Sequence, residues 1–142
     1  MQISAVLAGK PGGVVTLPPQ TTVRALLAQL AEHRIGALVV SEDGTTVQGI
    51  VSERDVVRRL AADGPGLLDR PLSEIMTEQV RTCSPDDPVD RLMVLMTEER
   101  FRHVPVVQDG RLVGIVSIGD VVKQRLGELE SERDHLTAYI SS

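Results

Sequence analysis

A chain of 142 residues has room for one domain or two very small ones, and its net charge of −5 argues against a general nucleic-acid surface. Apolar residues make up 42% but aromatics, Phe101 and Tyr139, only 1%, so Val, Leu, Ile, Ala and Met must build the core. No apolar run approaches the roughly 18 residues of a membrane span, the start lacks the basic residues of a secretory signal, and the single cysteine, Cys83, permits no internal disulfide and suits a reducing cytoplasm.

Ile3-Ser4-Ala5-Val6-Leu7 reads as a short helical turn with Ser4 as its cap, and Gly9 to Gly13 as a loop. Val14-Val15-Thr16-Leu17 is a short β-like run stopped by Pro18-Pro19. Thr22 caps a helix whose apolar residues Val23, Leu26, Leu27 and Leu30 recur at the 3.6 period, and which ends near His33-Arg34. Ala37 to Val40 is a buried strand, Glu42-Asp43-Gly44 a turn, and Val47 to Val51 the next strand. Ser52 opens a helix to about Ala62, broken by Asp63-Gly64-Pro65-Gly66.

The same order then recurs at offsets between 65 and 69. Leu72 to Met76 matches Ile3 to Leu7, and Val80-Arg81-Thr82 matches Val14-Val15-Thr16. Pro88 leads a helix with Val89, Leu92, Met93 and Met96 inward. His103 to Val107 is the buried strand, Asp109-Gly110 the turn, and Arg111 to Val116 the next strand. The fold expected is α/β: two tandem β-α-β-β-α units, 1–66 and 67–125, in a pseudo-twofold arrangement, then a helical extension, 126–142. Units of about 65 residues are marginal alone, so each is expected to bury one face of its sheet against the other. In the extension, Val122, Leu126, Leu129, Leu136 and Ile140 follow 3-4 spacing, with Arg133 interrupting. Two readings stay open: a coiled coil or partner-facing helix, and an amphipathic helix lying on its own domain.

The duplication is clearest where Gly114-Ile115-Val116-Ser117-Ile118-Gly119-Asp120-Val121-Val122 repeats Gly49-Ile50-Val51-Ser52-Glu53-Arg54-Asp55-Val56-Val57, with seven of nine positions identical. A strand feeds a helix, with Ser and Asp at the helix start. Ser-x-x-Asp there resembles a capping box, worth about 1 kcal/mol. The same corner also suits a ligand. Free N–H groups and the positive helix end favour phosphate, while an acid can accept hydrogen bonds from two vicinal ribose hydroxyls. The Asp must face the sugar, because a carboxylate repels phosphate.

These residues carry a family resemblance. The chain, from about residue 3 to 125, resembles a tandem cystathionine-β-synthase (CBS) domain pair, or Bateman module, of the stand-alone bacterial type. Both units have its Gly-h-h-Ser-x-x-Asp ending, and His33 to Val40 and Arg100 to Val107 resemble its central motif. The resemblance implies a non-catalytic regulatory module binding AMP, ADP, ATP, NAD or S-adenosylmethionine in clefts between the repeats. Carried over by position, one cleft holds Ser117, Asp120, Ile115 and Arg102, facing Lys10, Gly13, Val15, Ile35, Gly36 and Ala37. The other holds Ser52, Asp55, Arg54 and Ile50, facing Thr77, Val80, Arg81, Arg102, His103 and Val104. Asp55 and Asp120 would hold ribose, and Ser52 and Ser117 would touch phosphate or ribose. The backbones at Val15 and Val80 would read adenine, Ile35, Val104, Ile50 and Ile115 would flank the ring, and Arg102 and His103 would neutralise phosphate. The clefts are expected to differ, since Ile118-Gly119 stands where the first unit has Glu53-Arg54, and only the second has a proline, Pro105, in its central strand.

The remaining chemistry is sparse. His33, His103 and His135 lack metal-ligand spacing, Cys83 has no partner base and reads as a buried thiol, and Asp86-Asp87 suit a helix start. There is no Gly-rich phosphate loop ending in Lys-Ser/Thr and no catalytic constellation. The function expected is cytoplasmic adenine-nucleotide sensing by a homodimer that signals to a regulated protein, without a metal, nucleic acid or membrane. The alternative is a structural dimerisation module with degenerate or empty clefts.

Overall fold

The computed structural model describes residues 1–10 and 13–141, so Pro11 and Gly12 of the expected loop lie outside the described residues. Helix α1 (Ile3–Ala8) precedes β1 (Thr16–Leu17), α2 (Val23–His33), β2 (Ala37–Val40), β3 (Gly49–Ser52) and α3 (Glu53–Asp63). Two 3-10 turns, Pro65–Asp69 and Leu72–Glu74, lead to α4 (Val89–Glu99), β4 (His103–Gln108), β5 (Arg111–Ser117) and α5 (Ile118–Ser141). In the first sheet β1 runs parallel to β2, and β2 antiparallel to β3, with Ala37 opposite Ser52. In the second, β4 and β5 are antiparallel, with His103 opposite Ser117.

Local chemistry accounts for most boundaries. The Thr22 side chain accepts from the Ala25 N–H at 3.2 Å, capping α2 as expected. Asp109 and Gly110 both have positive φ, 53° and 76°, the backbone that a two-residue hairpin requires. The Asp43 carboxylate accepts from Thr45 and Thr46 N–H, which holds its pKa well below the usual carboxylate range and fixes the turn after β2.

Two expectations need correction, and one of the two readings open for the extension is favoured. Val80-Arg81-Thr82 forms no strand. The parallel pairing shrinks to one bridge, in which Cys83 N–H donates to the Pro105 carbonyl at 3.0 Å and Val107 N–H to the Cys83 carbonyl at 2.8 Å. Pro105 has no N–H with which to continue that ladder. Ser4 is not the cap of α1: Gln2 holds that position without a side-chain bond, and Ile3 and Ser4 donate instead to the carbonyls of Asp87 and Pro85 at 3.0 and 2.9 Å. The extension does not lie on its own domain. Only Val121 of α5 is buried, whereas Leu126 is 55% and Leu136 58% exposed.

The bonds from Ile3 and Ser4 have counterparts. Leu72 and Ser73 donate to the carbonyls of Thr21 and Pro19, Val23 donates to Arg70, and Val89 to Met1. Each unit's leading segment is thus stitched to the other unit, in a pseudo-twofold pattern. The apolar interior follows. Leu72 and Ile75 join Val23, Leu26, Leu38 and Val51 in one cluster, while Ile3 and Val6 join Val89, Leu92, Val104 and Val116 in another. The exchanged segments thus tie each unit's apolar cluster to the chain of the other unit.

Candidate functional site

Both strand-to-helix corners close as capping boxes, so the capping reading of Ser-x-x-Asp is right as far as it goes. At the start of α3, Asp55 N–H donates to Ser52 Oγ at 3.2 Å, and the Ser52 N–H and hydroxyl donate to Asp55 Oδ2 at 2.9 and 3.0 Å. At the start of α5, Asp120 N–H donates to Ser117 Oγ at 3.1 Å and Ser117 N–H to Asp120 Oδ2 at 2.9 Å. These bonds fall on one oxygen of each carboxylate.

The second corner carries an addition. Lys10, just past the end of α1, donates from Nζ to Asp120 Oδ2 at 2.7 Å and to the Ile115 carbonyl at 2.7 Å. Burial works against the charge on Asp120. Hydrogen bonds from Lys10 and Ser117, and the lysine's charge, outweigh it and hold the pKa below its ordinary value. The His103 imidazole lies nearby. Burial pushes its pKa down, with Lys10 and Arg102 acting in the same sense and Asp120 and Glu53 opposing. Gly36 meets this ring: a Cβ there would lie 3.6 Å from His103 Cε1 and 3.5 Å from Glu53 Oε1.

The structure therefore gathers Lys10, Ile115, Ser117 and Asp120 by direct bonds, with His103 and Arg102 beside them and Gly36 against His103. At the other corner Ser52 and Asp55 are joined, and Ile50 forms an antiparallel bridge with Thr77 through bonds of 3.0 and 2.9 Å. Arg54 stands exposed in the first turn of α3. Val15 and Ile35 pack against the first apolar cluster. Ala37 and Val104 are buried, Val104 wholly, which leaves its backbone rather than its side chain for any cleft. Arg81 is turned to Glu99 of α4 at 3.0 Å, and Val80 N–H to the Glu78 carbonyl at 3.0 Å. Among the described residues no hydrogen bond links Gly13, Val15, Val80, Arg54 or Arg81 to either carboxylate.

Two features escaped the sequence reading. Glu53, beside Gly36 in the first unit, faces His103 of the second. An open hollow of about 400 Å³ is lined by Leu27, Leu30, Ala31, Arg34, Ile35, Gly36 and Glu53. Its one advance sign is Leu27, which widens the apolar stripe of α2 beyond what the core takes up. Among the described residues no three His, Cys, Asp or Glu side chains form a group able to hold a metal ion, and no helix is long and apolar enough to cross a membrane.

Two interlocked β-α units, each ending in a Ser-Asp corner, form a tandem module, and comparison with known proteins gives its family. The model of the CBS domain matches the chain twice, over residues 12–62 and 72–127, and the chain belongs to the CBS-domain family. It is 39% identical over 123 residues to the mitochondrial CBS domain-containing protein CBSX3 of Arabidopsis thaliana, covering 84% of this chain but only 60% of that relative's length. Among solved structures it is similar to the CBS-domain protein ATU1752 of Agrobacterium tumefaciens, with 44% identity, 88% of this chain and 99% of that one covered, and a TM-score of 0.83. It is also similar to PAE2072 of Pyrobaculum aerophilum, solved in complex with AMP, with 32% identity, 84% and 89% coverage and a TM-score of 0.75. The CBS domain pair of MJ0100, solved with 5′-methylthioadenosine and S-adenosyl-L-methionine, is 29% identical, with 90% and 98% coverage and a TM-score of 0.78.

Proposed function

We propose that this protein is a non-catalytic regulatory module that binds an adenine nucleotide, of the AMP, ATP or NAD type, in clefts between its two units. The observation that carries the reading is the duplicated corner at which each carboxylate keeps one oxygen clear of its capping bonds. Asp120 and Asp55 hold ribose hydroxyls, and Lys10, Arg102 and His103 supply positive or hydrogen-bonding groups for phosphate. The AMP complex of PAE2072 and the adenosine-derivative complex of the MJ0100 pair support the ligand class. Because the leading segments are exchanged, a ligand that touches both units biases their relative orientation, and a partner protein in the cytoplasm reads that change. The exposed seam of α5 joins two copies in a homodimer.

Thermal melts with AMP, ATP and NAD test this. Ligand at 100 times its Kd adds about 2.7 kcal/mol of stability. Absence of any shift with all three at millimolar concentration sinks the proposal.

The exposed apolar seam of α5 favours a second reading, a dimerisation module with empty clefts. Asp120→Ala separates the two. A sensor loses ligand binding and keeps its fold, whereas a purely capping aspartate changes stability alone.

A further inference from the structure

We infer that Lys10 makes the Asp120 cleft selective for adenosine ligands bearing a 5′-phosphate, by holding the ribose-binding carboxylate closed until an anion takes the lysine away. This rests on the reading of the corners as ribose sites.

A carboxylate grips two vicinal hydroxyls most firmly with one on each oxygen. Asp120 Oδ2 already accepts from Ser117 N–H at 2.9 Å and from Lys10 Nζ at 2.7 Å, which fills its two lone pairs. Ser117 N–H is fixed by the start of α5, so the lysine is the partner that can yield. Its side chain is one-third exposed, at 33%, so a ligand can reach it from solvent, and its ammonium also holds the Ile115 carbonyl at 2.7 Å. A ligand without a negative charge removes the ammonium from Asp120 and offers nothing in return. A 5′-phosphate offers a stronger partner, with the charge-assisted bonds that ammonium forms with phosphate oxygens. Lys10 thus passes from carboxylate to phosphate, and the two exchanges occur together.

The other corner lacks this device. Asp55 Oδ2 accepts from the Ser52 N–H and the Ser52 hydroxyl, and a hydroxyl rotates away at little cost. The position matching Lys10 at the offset of the leading segments, 69 residues, is Gln79, which has no charge. The two clefts therefore differ in the ligand charge they accept.

Isothermal titration of AMP and of adenosine into the wild type, Lys10→Met and Lys10→Arg tests this. In the wild type AMP should bind at least about tenfold tighter than adenosine, as one charge-assisted contact allows. In Lys10→Met the ratio should fall to the share that Arg102 and His103 supply, with adenosine binding as well as or better than before, and Lys10→Arg should keep the preference. The Asp55 cleft contributes equally to all three proteins. An unchanged AMP-to-adenosine ratio in Lys10→Met overturns the role of Lys10 while leaving the ribose sites intact. Failure of both ligands to bind a folded wild type overturns the ribose reading, and this inference with it.

Discussion

Asp120 has two tasks in the folded chain. It closes the box with Ser117 and it ties down Lys10, a residue 110 positions away in the sequence. Replacing it with Ala should cost about 1 kcal/mol for the cap and should weaken AMP binding at least tenfold, read by a urea melt and by titration calorimetry. Its pKa is depressed in the folded state, so the unfolded chain takes up the proton first as pH falls. The stability it contributes is present above the ordinary carboxylate value and drains away below about pH 4; Asp120→Asn should flatten that acid limb. His103 follows the same sign at higher pH. Burial lowers its pKa, so the unfolded chain is protonated first below about pH 6.5 and stability falls with pH from there. His103→Gln should reduce the drop in Tm between pH 7.5 and 5.5. Cys83 goes the other way: burial, with the charge of Asp87, pushes its thiol up to about 12. The native thiol should react with Ellman's reagent at pH 8 far more slowly than the denatured chain does; equal rates would contradict its shielding.

At the scale of elements, the two glycines that lead the repeated Gly-h-h-Ser-x-x-Asp stretch serve the exchanged segments. A Cβ on Gly114 would lie 2.6 Å from Leu7 Cδ2, and one on Gly49 would lie 2.7 Å from Met76 Sδ and 3.1 Å from the Thr77 carbonyl oxygen. Leu7 and Met76 are equivalent across the pseudo-twofold. The Thr77 carbonyl is bonded to Ile50 N–H at 3.0 Å and cannot withdraw, whereas the atoms nearest Gly114 are all in one side chain. Gly49→Ala should therefore cost more than Gly114→Ala, both within the roughly 1–3 kcal/mol typical of overpacking, as measured by denaturant midpoints. This level also shows what could be read in advance. The period of Val23, Leu26 and Leu30, the Thr22 cap and the Asp109-Gly110 turn are local signals, and they placed α2 and the β4–β5 hairpin. Ser4 was misread because the acceptors for α1 come from Pro85 and Asp87, which no local pattern reveals. Val80 to Thr82 was misread because the obstacle, Pro105, lies in the neighbouring strand. The Ser-Asp corners were legible because they occur twice. The bonds from Lys10 to Asp120 and from Arg81 to Glu99, 110 and 18 positions apart, could not be deduced from spacing.

For the whole molecule, apolar periodicity told which faces are buried but not against what, so the exchange of leading segments stayed hidden until Ile3 and Leu72 were seen in the opposite units' clusters. The same blindness left α5 open, and its exposed seam now points outward. Leu126→Glu with Leu129→Glu should convert a dimer to a monomer in sedimentation, while changing the intrinsic stability of each unit by no more than about 0.5 kcal/mol per substitution, because both positions are about half exposed, 55% and 48%. Persistence of the dimer would move the interface elsewhere. The seat of an adenine nucleotide decides between a sensor and an empty module, and a crystal structure of the protein grown with AMP measures it directly. It should show the ribose hydroxyls on Asp120 and the Lys10 ammonium moved onto the phosphate. AMP bound away from both corners, with Lys10 still on Asp120, would contradict it.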